Sequence, residues 1–350
     1  MSQTKKKADF LIESRGVSRD LGAFVVAARF SRDSRSLAFA LGDGTTRIVP
    51  VADPAGEWGT VAVHDGASLS FAIGSGNDDF LSGGDDGTLR RVRATGEVTT
   101  IASFGMKWIE QLASHTIEKN KGLIVAGVGK LVHLFDESGR KLKEWTHPSS
   151  VTGLVFDGKG RRVAASHYNG ATIWFVAAKT DTPRRLEWKG SHIGIAIHPE
   201  GEAVVTAMQE NSLHGWKLPN AENMRMSGYP SKTTSMSFTK GGKYLASSGS
   251  DAMILWPFFG GGPMGKAPLE LAGGDGIMCT QVAANPKQDL VAGGFEDGLV
   301  ILGDIVSSRI LPIVPPGHGK VSALAWSSDG ISLAVGTETG FCGVLDFAKH

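Results

Sequence analysis

A tight-turn signature returns along this chain at nearly constant intervals. It centres on Asp43, Asp86, Gly129, Asn169, Asn211, Asp251, Asp297 and Thr339, so successive turns lie 40 to 46 residues apart. A period of this length, flanked by strand chemistry rather than helix chemistry, describes stacked β units that share cores with their neighbours. Glycine makes up 47 of the 350 residues, as a chain built on many tight turns requires.

Aligned on the turn, the units share a second mark. Thirteen positions upstream stand Phe30, Ile73, Phe156, His198, Phe238, Ala284 and Trp326, mostly large and apolar. Short alternating runs such as Val25–Phe30, Val151–Phe156 and Val321–Trp326 lead into them, the pattern of half-buried strands. A polar turn and a small-residue strand follow, as in Leu81–Gly84, Leu245–Gly249 and Leu333–Gly336. A third strand comes after the marker turn (Thr46–Val49, Leu131–Phe135, Ile254–Trp256). A fourth, more polar one closes the unit (Val98–Ile101, Lys141–Trp145, Arg309–Ile313). Four antiparallel strands per repeat predict an all-β fold: a closed β-propeller of four-stranded blades, eight by this count and seven as the alternative.

The last unit supplies only three strands. Phe10–Ser14, upstream of the first full unit, reads as a strand without a blade, so the N-terminal strand is expected to complete the last blade. No linker-like stretch interrupts the period, which predicts a single domain over 1–350 with residues 1–7 as a disordered tail. The 36 basic and 35 acidic side chains leave a net charge of +1, which argues against nucleic acid as the partner. Cys279 and Cys342, the two cysteines, fit buried thiols in a reducing compartment. Lys5, Lys6 and Lys7 are not followed by an apolar run, and no stretch approaches the ~20 apolar residues of a membrane span. The expectation is a cytoplasmic, monomeric ring without membrane contact.

Gly317-His318-Gly319-Lys320-Val321 through Ser327-Ser328-Asp329-Gly330 resembles the Gly-His start and turn of the WD-repeat propeller family. His64 and His147 hold the same histidine position 22 residues before their turns; His192 and His318 hold it at 19 and 21. The resemblance implies a buried hydrogen-bonded tetrad of this His, the turn Asp, a second-strand Ser or Thr and a third-strand Trp. The second unit keeps His64, Ser82 and Asp86, with Val92 in the Trp place. The Trp-Asp pair itself is absent: Phe135-Asp136, Gly303-Asp304 and Leu345-Asp346 keep the acid, while Trp174, Trp216 and Trp256 keep the ring.

Three patterns imitate catalytic chemistry. His64, Ser82 and Asp86 are the residue types of a hydrolase triad, but the structural tetrad demands the same types at this spacing. Gly260 to Ala267 fits a phosphate-binding loop up to its last position, where Ala267 cannot hold magnesium and no helix follows. His192 and His198 sit ~20 Å apart along one strand, and His167 with His192 makes only half a tetrahedral set. No metal and no cofactor are expected, and Arg90-Arg91 and Arg161-Arg162 read as solvated faces.

What remains is surface. One rim should carry Phe104, Met106, Lys107, Trp108, Tyr168, Tyr229, Met278 and Phe295; the opposite rim carries the Pro257–Pro268 loop with Phe258, Phe259 and Met264. Aromatic residues and Met are the types that dominate interface energetics. The candidate partner-binding set is therefore Phe258, Phe259, Met264, Trp108, Tyr168, Tyr229 and Phe295. The resemblance implies a non-catalytic scaffold that presents its loop rims to protein partners in a multiprotein assembly. The alternative is a propeller enzyme or metal-dependent hydrolase at the channel mouth; a nucleic-acid adaptor is disfavoured by charge.

Overall fold

The structure is a computed structural model and describes residues 10–118, 121–218, 220–274 and 276–348. The tail expected at residues 1–7 lies outside them. The first full unit shows the plan: Val25–Phe30, Ser36–Leu41, Thr45–Pro50 and Gly59–Ala62 form a four-stranded antiparallel meander. Second strands such as Asp79–Gly84 and Ser332–Thr337 are buried along their whole length. Their small residues admit a neighbour on either face, whereas outer strands such as Val98–Ser103 are mostly solvated.

The first strands neighbour one another in cyclic order: Val25–Phe30, Ser68–Ile73, Gln111–Glu118, Gly153–Phe156, the second half of Arg184–Ile197, Met236–Phe238, Cys279–Ala284, Val321–Trp326, and back to Val25–Phe30. The strands are thus arranged as a β-propeller. The core lies between units rather than within them. Each buried cluster draws on two consecutive units, as where Phe39 and Leu41 of the first meet Ala334 and Val344 of the last.

Among the described residues the hydrogen-bonded sheets number seven, six of four strands and one of six, so counted by sheet the propeller has seven blades, the alternative count. This corrects the expectation of eight separate blades: the turn units of Asn169 and Asn211 share one sheet. Two 14-residue segments cause the merger. Arg162–Phe175 pairs through its first half with Gly153–Phe156 and through its second with Arg184–Glu187. It folds back on itself, with Val176 N donating to Arg161 O at 3.0 Å. Arg184–Ile197 then continues from this outer position directly into the pairing of His192–Ile197 with Ala203–Met208. A Tyr168–Ser191 bridge spans the point where other units have a loop.

The edge of the last sheet is covered, but not by the expected residues. Leu11–Arg15 is one helical turn, and Gly16–Asp20 after it pairs antiparallel with Phe341–Leu345. The consecutive apolar residues Phe10, Leu11 and Ile12 explain the shift. A strand would turn one of them outward, whereas the helical turn packs all three against a cluster containing Phe341 and Leu345.

Hydroxyl side chains join the inner strands from unit to unit. Ser70 Oγ donates to Ile109 O at 2.6 Å, Thr234 Oγ1 to Thr280 O at 2.9 Å and Thr280 Oγ1 to Val321 O at 2.7 Å. Thr152 Oγ1 donates likewise to His192 O. Ser322 Oγ donates to Val25 O at 2.7 Å, so the same bond links the last unit to the first. Each hydroxyl stands 16 or 17 residues before its turn marker, a regularity that the strand pattern alone did not single out.

Candidate interaction surfaces

The polar interior comes first, because it decides which groups remain for solvent and partners. In the second unit His64 Nε2 lies 2.8 Å from Ser82 Oγ, and His64 Nδ1 lies 3.1 Å from Asp86 Oδ1. Thr88 donates to the same carboxylate through its backbone and hydroxyl, at 3.0 and 2.7 Å. Burial alone would raise the Asp86 pKa; the Thr88 hydrogen bonds and the His64 ring outweigh it and hold the carboxyl below its usual range. Burial lowers the pKa of His64 against the opposing pull of Asp86. Ser82 has no exposed surface.

Other units reach the same end with other residues. In the fourth, the Trp174 indole donates to His147 Nε2 at 2.9 Å, and burial takes the His147 pKa down to about 4. In the fifth, His192 Nδ1 lies 2.7 Å from Thr206 Oγ1, and Nε2 donates to Trp188 O at 2.9 Å. In the sixth, a tyrosine takes the histidine place. Trp256 Nε1 donates to Tyr229 Oη at 2.6 Å, Tyr229 pairs with Ser247 Oγ at 2.6 Å, and Ser247 passes the chain to Ile254 O at 3.1 Å. Tyr229 stands 22 residues before Asp251, the offset of His64 and His147, and that spacing was the signal for its role. Among the described residues no three His, Cys, Asp or Glu side chains converge as metal ligands.

Three candidates are therefore corrected. Tyr229 is buried because it completes a polar chain, and its pKa is pushed up to about 12 by that burial. Phe295 is buried in the cluster that contains Cys279 and Val291. Phe258 is buried against Phe238 at 5.1 Å and His198 at 6.2 Å between ring centroids.

The other four stay at the surface: Trp108 is 58% exposed, Tyr168 55%, Phe259 50% and Met264 49%. The antiparallel meander places Trp108 and Tyr168 on one rim and Phe259 and Met264 on the other. Met106 beside Trp108 is 95% exposed. The loop that carries both is pinned at its ends, with Phe104 N donating to Gly87 O at 2.8 Å and Ile109 N to Gly84 O at 3.3 Å.

On the opposite rim the Pro257–Pro268 loop folds over the preceding unit. Met264 Sδ accepts from Arg225 N at 3.3 Å, on the outer strand Glu222–Met226. Lys266 Nζ, the would-be phosphate ligand, donates instead to Phe259 O and to Gly260 O, and sits 5.0 Å from the Phe259 ring centre. Gly260, Gly261, Gly262 and Gly265 all have φ between 58° and 99°, a conformation that closes this loop and that side chains resist. It frames a groove of about 490 Å³ lined by Phe258, Phe259, Leu218 and Met224.

On the Tyr168 rim two clefts lie either side of one ridge. A cleft of about 770 Å³ is lined by Pro148, His167, Arg185 and Glu187, and one of about 460 Å³ by Met208, Glu210 and Arg225. Tyr168, Trp188 and Lys189 line both. The sequence did not single out Trp188. It is half-buried, stacked on His214 with ring centroids 3.9 Å apart.

Comparison with known proteins agrees with this architecture. Residues 282–350 match the family model of the anaphase-promoting complex subunit 4 WD40 domain. The chain is a β-propeller similar to the WD-repeat family. Telomerase protein component 1 of Mus musculus is 24% identical over 351 residues, covering 95% of this chain but 13% of that protein. The Rattus norvegicus protein of the same name is 25% identical, covering 67% of this chain and 9% of its own length. The pre-rRNA-processing protein IPI3 of Mycosarcoma maydis is 37% identical over 57 residues, 16% of this chain and 10% of that one. The chain thus spans a small part of the relatives it matches. The crystal structure of the computationally designed Ika8 protein superposes with a TM-score of 0.75 at 20% identity, covering 94% of this chain and 98% of that one, which speaks to the fold alone.

Proposed function

We propose that this WD-repeat ring is a non-catalytic scaffold that holds protein partners on the rim carrying Met106, Trp108 and Tyr168. The observation that carries this reading is the exposure of these three large side chains on backbone held by turns and strand pairing. Apolar anchors on rigid backbone lose little entropy on binding, which favours them as contact centres. The polar groups that imitate a catalytic centre are engaged with one another inside the units. A component of telomerase and a pre-rRNA-processing protein, as the relatives' names describe them, are compatible with work in an assembly. The partners proposed are proteins, with no nucleic acid, membrane or cofactor involved, and the ring itself is monomeric. Among the described residues no helix is long and apolar enough to cross a membrane. Cys279 and Cys342 are free buried thiols, which suits the cytoplasm as its place of work.

The test is affinity purification from the source cells with wild type, a Met106→Ser/Trp108→Ser/Tyr168→Ser variant and a Phe259→Ser/Met264→Ser variant. Loss of a specific protein from the first variant, with its Tm unchanged, supports the reading. Loss from the second alone moves the surface to the opposite rim. Absence of any specific protein from wild type overturns the scaffold.

A further inference from the structure

The paired clefts at Tyr168 and Trp188 have a chemistry of their own. Three cations surround them, Arg185, Lys189 and Arg225, all exposed. None of the three has a side-chain hydrogen bond or ion pair among the described residues. Several cations elsewhere are matched, among them Arg91 with Asp79 at 3.0 Å, Lys143 with Asp181 at 2.8 Å, Arg162 with Asp157 at 2.8 Å and Lys320 with Glu338 at 2.9 Å, while what sets these three apart is their convergence on one pair of clefts. Unmatched charge around an apolar concavity is the pattern of a surface awaiting an opposite charge.

The site is also preformed. Tyr168 bridges Ser191, Gly190 N donates to Asn169 Oδ1 at 3.2 Å, and Ser191 N donates to Glu210 Oε1 at 3.1 Å. Trp188 is fixed by its stack on His214, which in turn bonds Asn223 Oδ1 at 3.0 Å. Side chains locked in this way bind without first being ordered.

Two further features choose the occupant. The strand that runs through Arg185, Leu186 and Glu187 is the outer member of its unit, paired on one side only, so its free backbone edge can accept another extended chain. Glu187 and Glu210 are interspersed with the cations. A phosphate backbone, charged at every nucleotide, would meet both acids, whereas a peptide can set its carboxylates only where the cations stand. We propose that this double cleft binds an extended acidic peptide segment. Apolar side chains of the segment enter the two clefts either side of Tyr168, and its carboxylates meet Arg185, Lys189 and Arg225. This proposal rests on the scaffold reading and names the partner chemistry for one part of that rim.

The experiment follows the indole N–H resonances of the eight tryptophans of ¹⁵N-labelled protein at low salt. Trp188 is assigned with Trp188→Phe and Trp108 with Trp108→Phe. The probes are a synthetic peptide of about ten residues alternating leucine with glutamate, its leucine–lysine counterpart, and a uridylate RNA of matched length. The acidic peptide is expected to shift Trp188 and leave Trp108 in place. Arg185→Ala/Arg225→Ala, which removes two exposed groups without structural partners, should weaken that binding about tenfold. Equal binding of the lysine peptide, or no effect of the double variant, overturns the proposal. A stronger Trp188 shift with RNA also overturns it and makes the cleft a nucleic-acid surface. A shift of Trp108 alone refutes this cleft while leaving the scaffold reading standing, since that reading fails only if the purification above retains no partner.

Discussion

Tyr229 and Tyr168 carry the same side chain to opposite ends. Tyr229 joins Trp256 and Ser247 in a buried chain, whereas Tyr168 stands half in solvent on a bridged turn. Tyr229→Phe should cost about 1–3 kcal/mol, because it strands the Trp256 N–H, while Tyr168→Phe should be neutral within error in the same urea titration. His64→Ala should cost a similar amount by leaving Ser82 without its partner and Asp86 short of one. The difference between the two tyrosines was readable from the 22-residue offset to the turn. Residue type alone had made both look like contact residues. Acid should expose the histidines. Burial holds His147 and His214 near pKa 4, below the usual value of 6.5, so the unfolded chain binds protons that the fold refuses. Stability is therefore fully present above pH ~6.5 and falls as the pH drops toward 4, by about 3 kcal/mol for each of the two groups. Thermal melts across that range should show the loss, and His147→Gln should flatten part of it.

At the scale of elements, the repeat made the strands legible while their ends and partners were less so. Turn markers and period-2 runs placed the four strands of most units because glycine and Asx turns impose the local geometry themselves. The share of two units in one sheet was not legible, since Trp188 to Ser191 differs from a loop only in continuing straight. The closing strand was placed a few residues early because Phe10, Leu11 and Ile12 carry the hydrophobicity, while the residues that pair, Gly16–Asp20, are mostly small or polar. Removing residues 1–20 should expose the edge of Phe341–Asp346, and light scattering should report association at concentrations where the full chain stays dispersed. On the opposite rim, the Pro257–Pro268 loop looked like a docking element and proved to cover the outer strand of its neighbour through Met264. Met264→Ala should leave the Arg225 N–H to solvent and change stability by less than about 1 kcal/mol.

For the whole molecule, stability is a property of neighbouring pairs. Cores lie between units, and Ser and Thr hydroxyls tie several of the inner strands to the next. Such a ring has no unit that could be removed without opening two interfaces, which is why its surface can vary while its frame stays constant. One consequence is mechanical. Gly16 lies opposite Leu345 and Asp20 opposite Phe341, so the first strand enters this ladder at the same end at which the last strand leaves it. Tension applied to residue 16 and residue 345 would load the pairs one at a time, peeling them in sequence rather than shearing all at once. Under such a pull this fastening would yield first, and the ring would open there while every other sheet stayed folded.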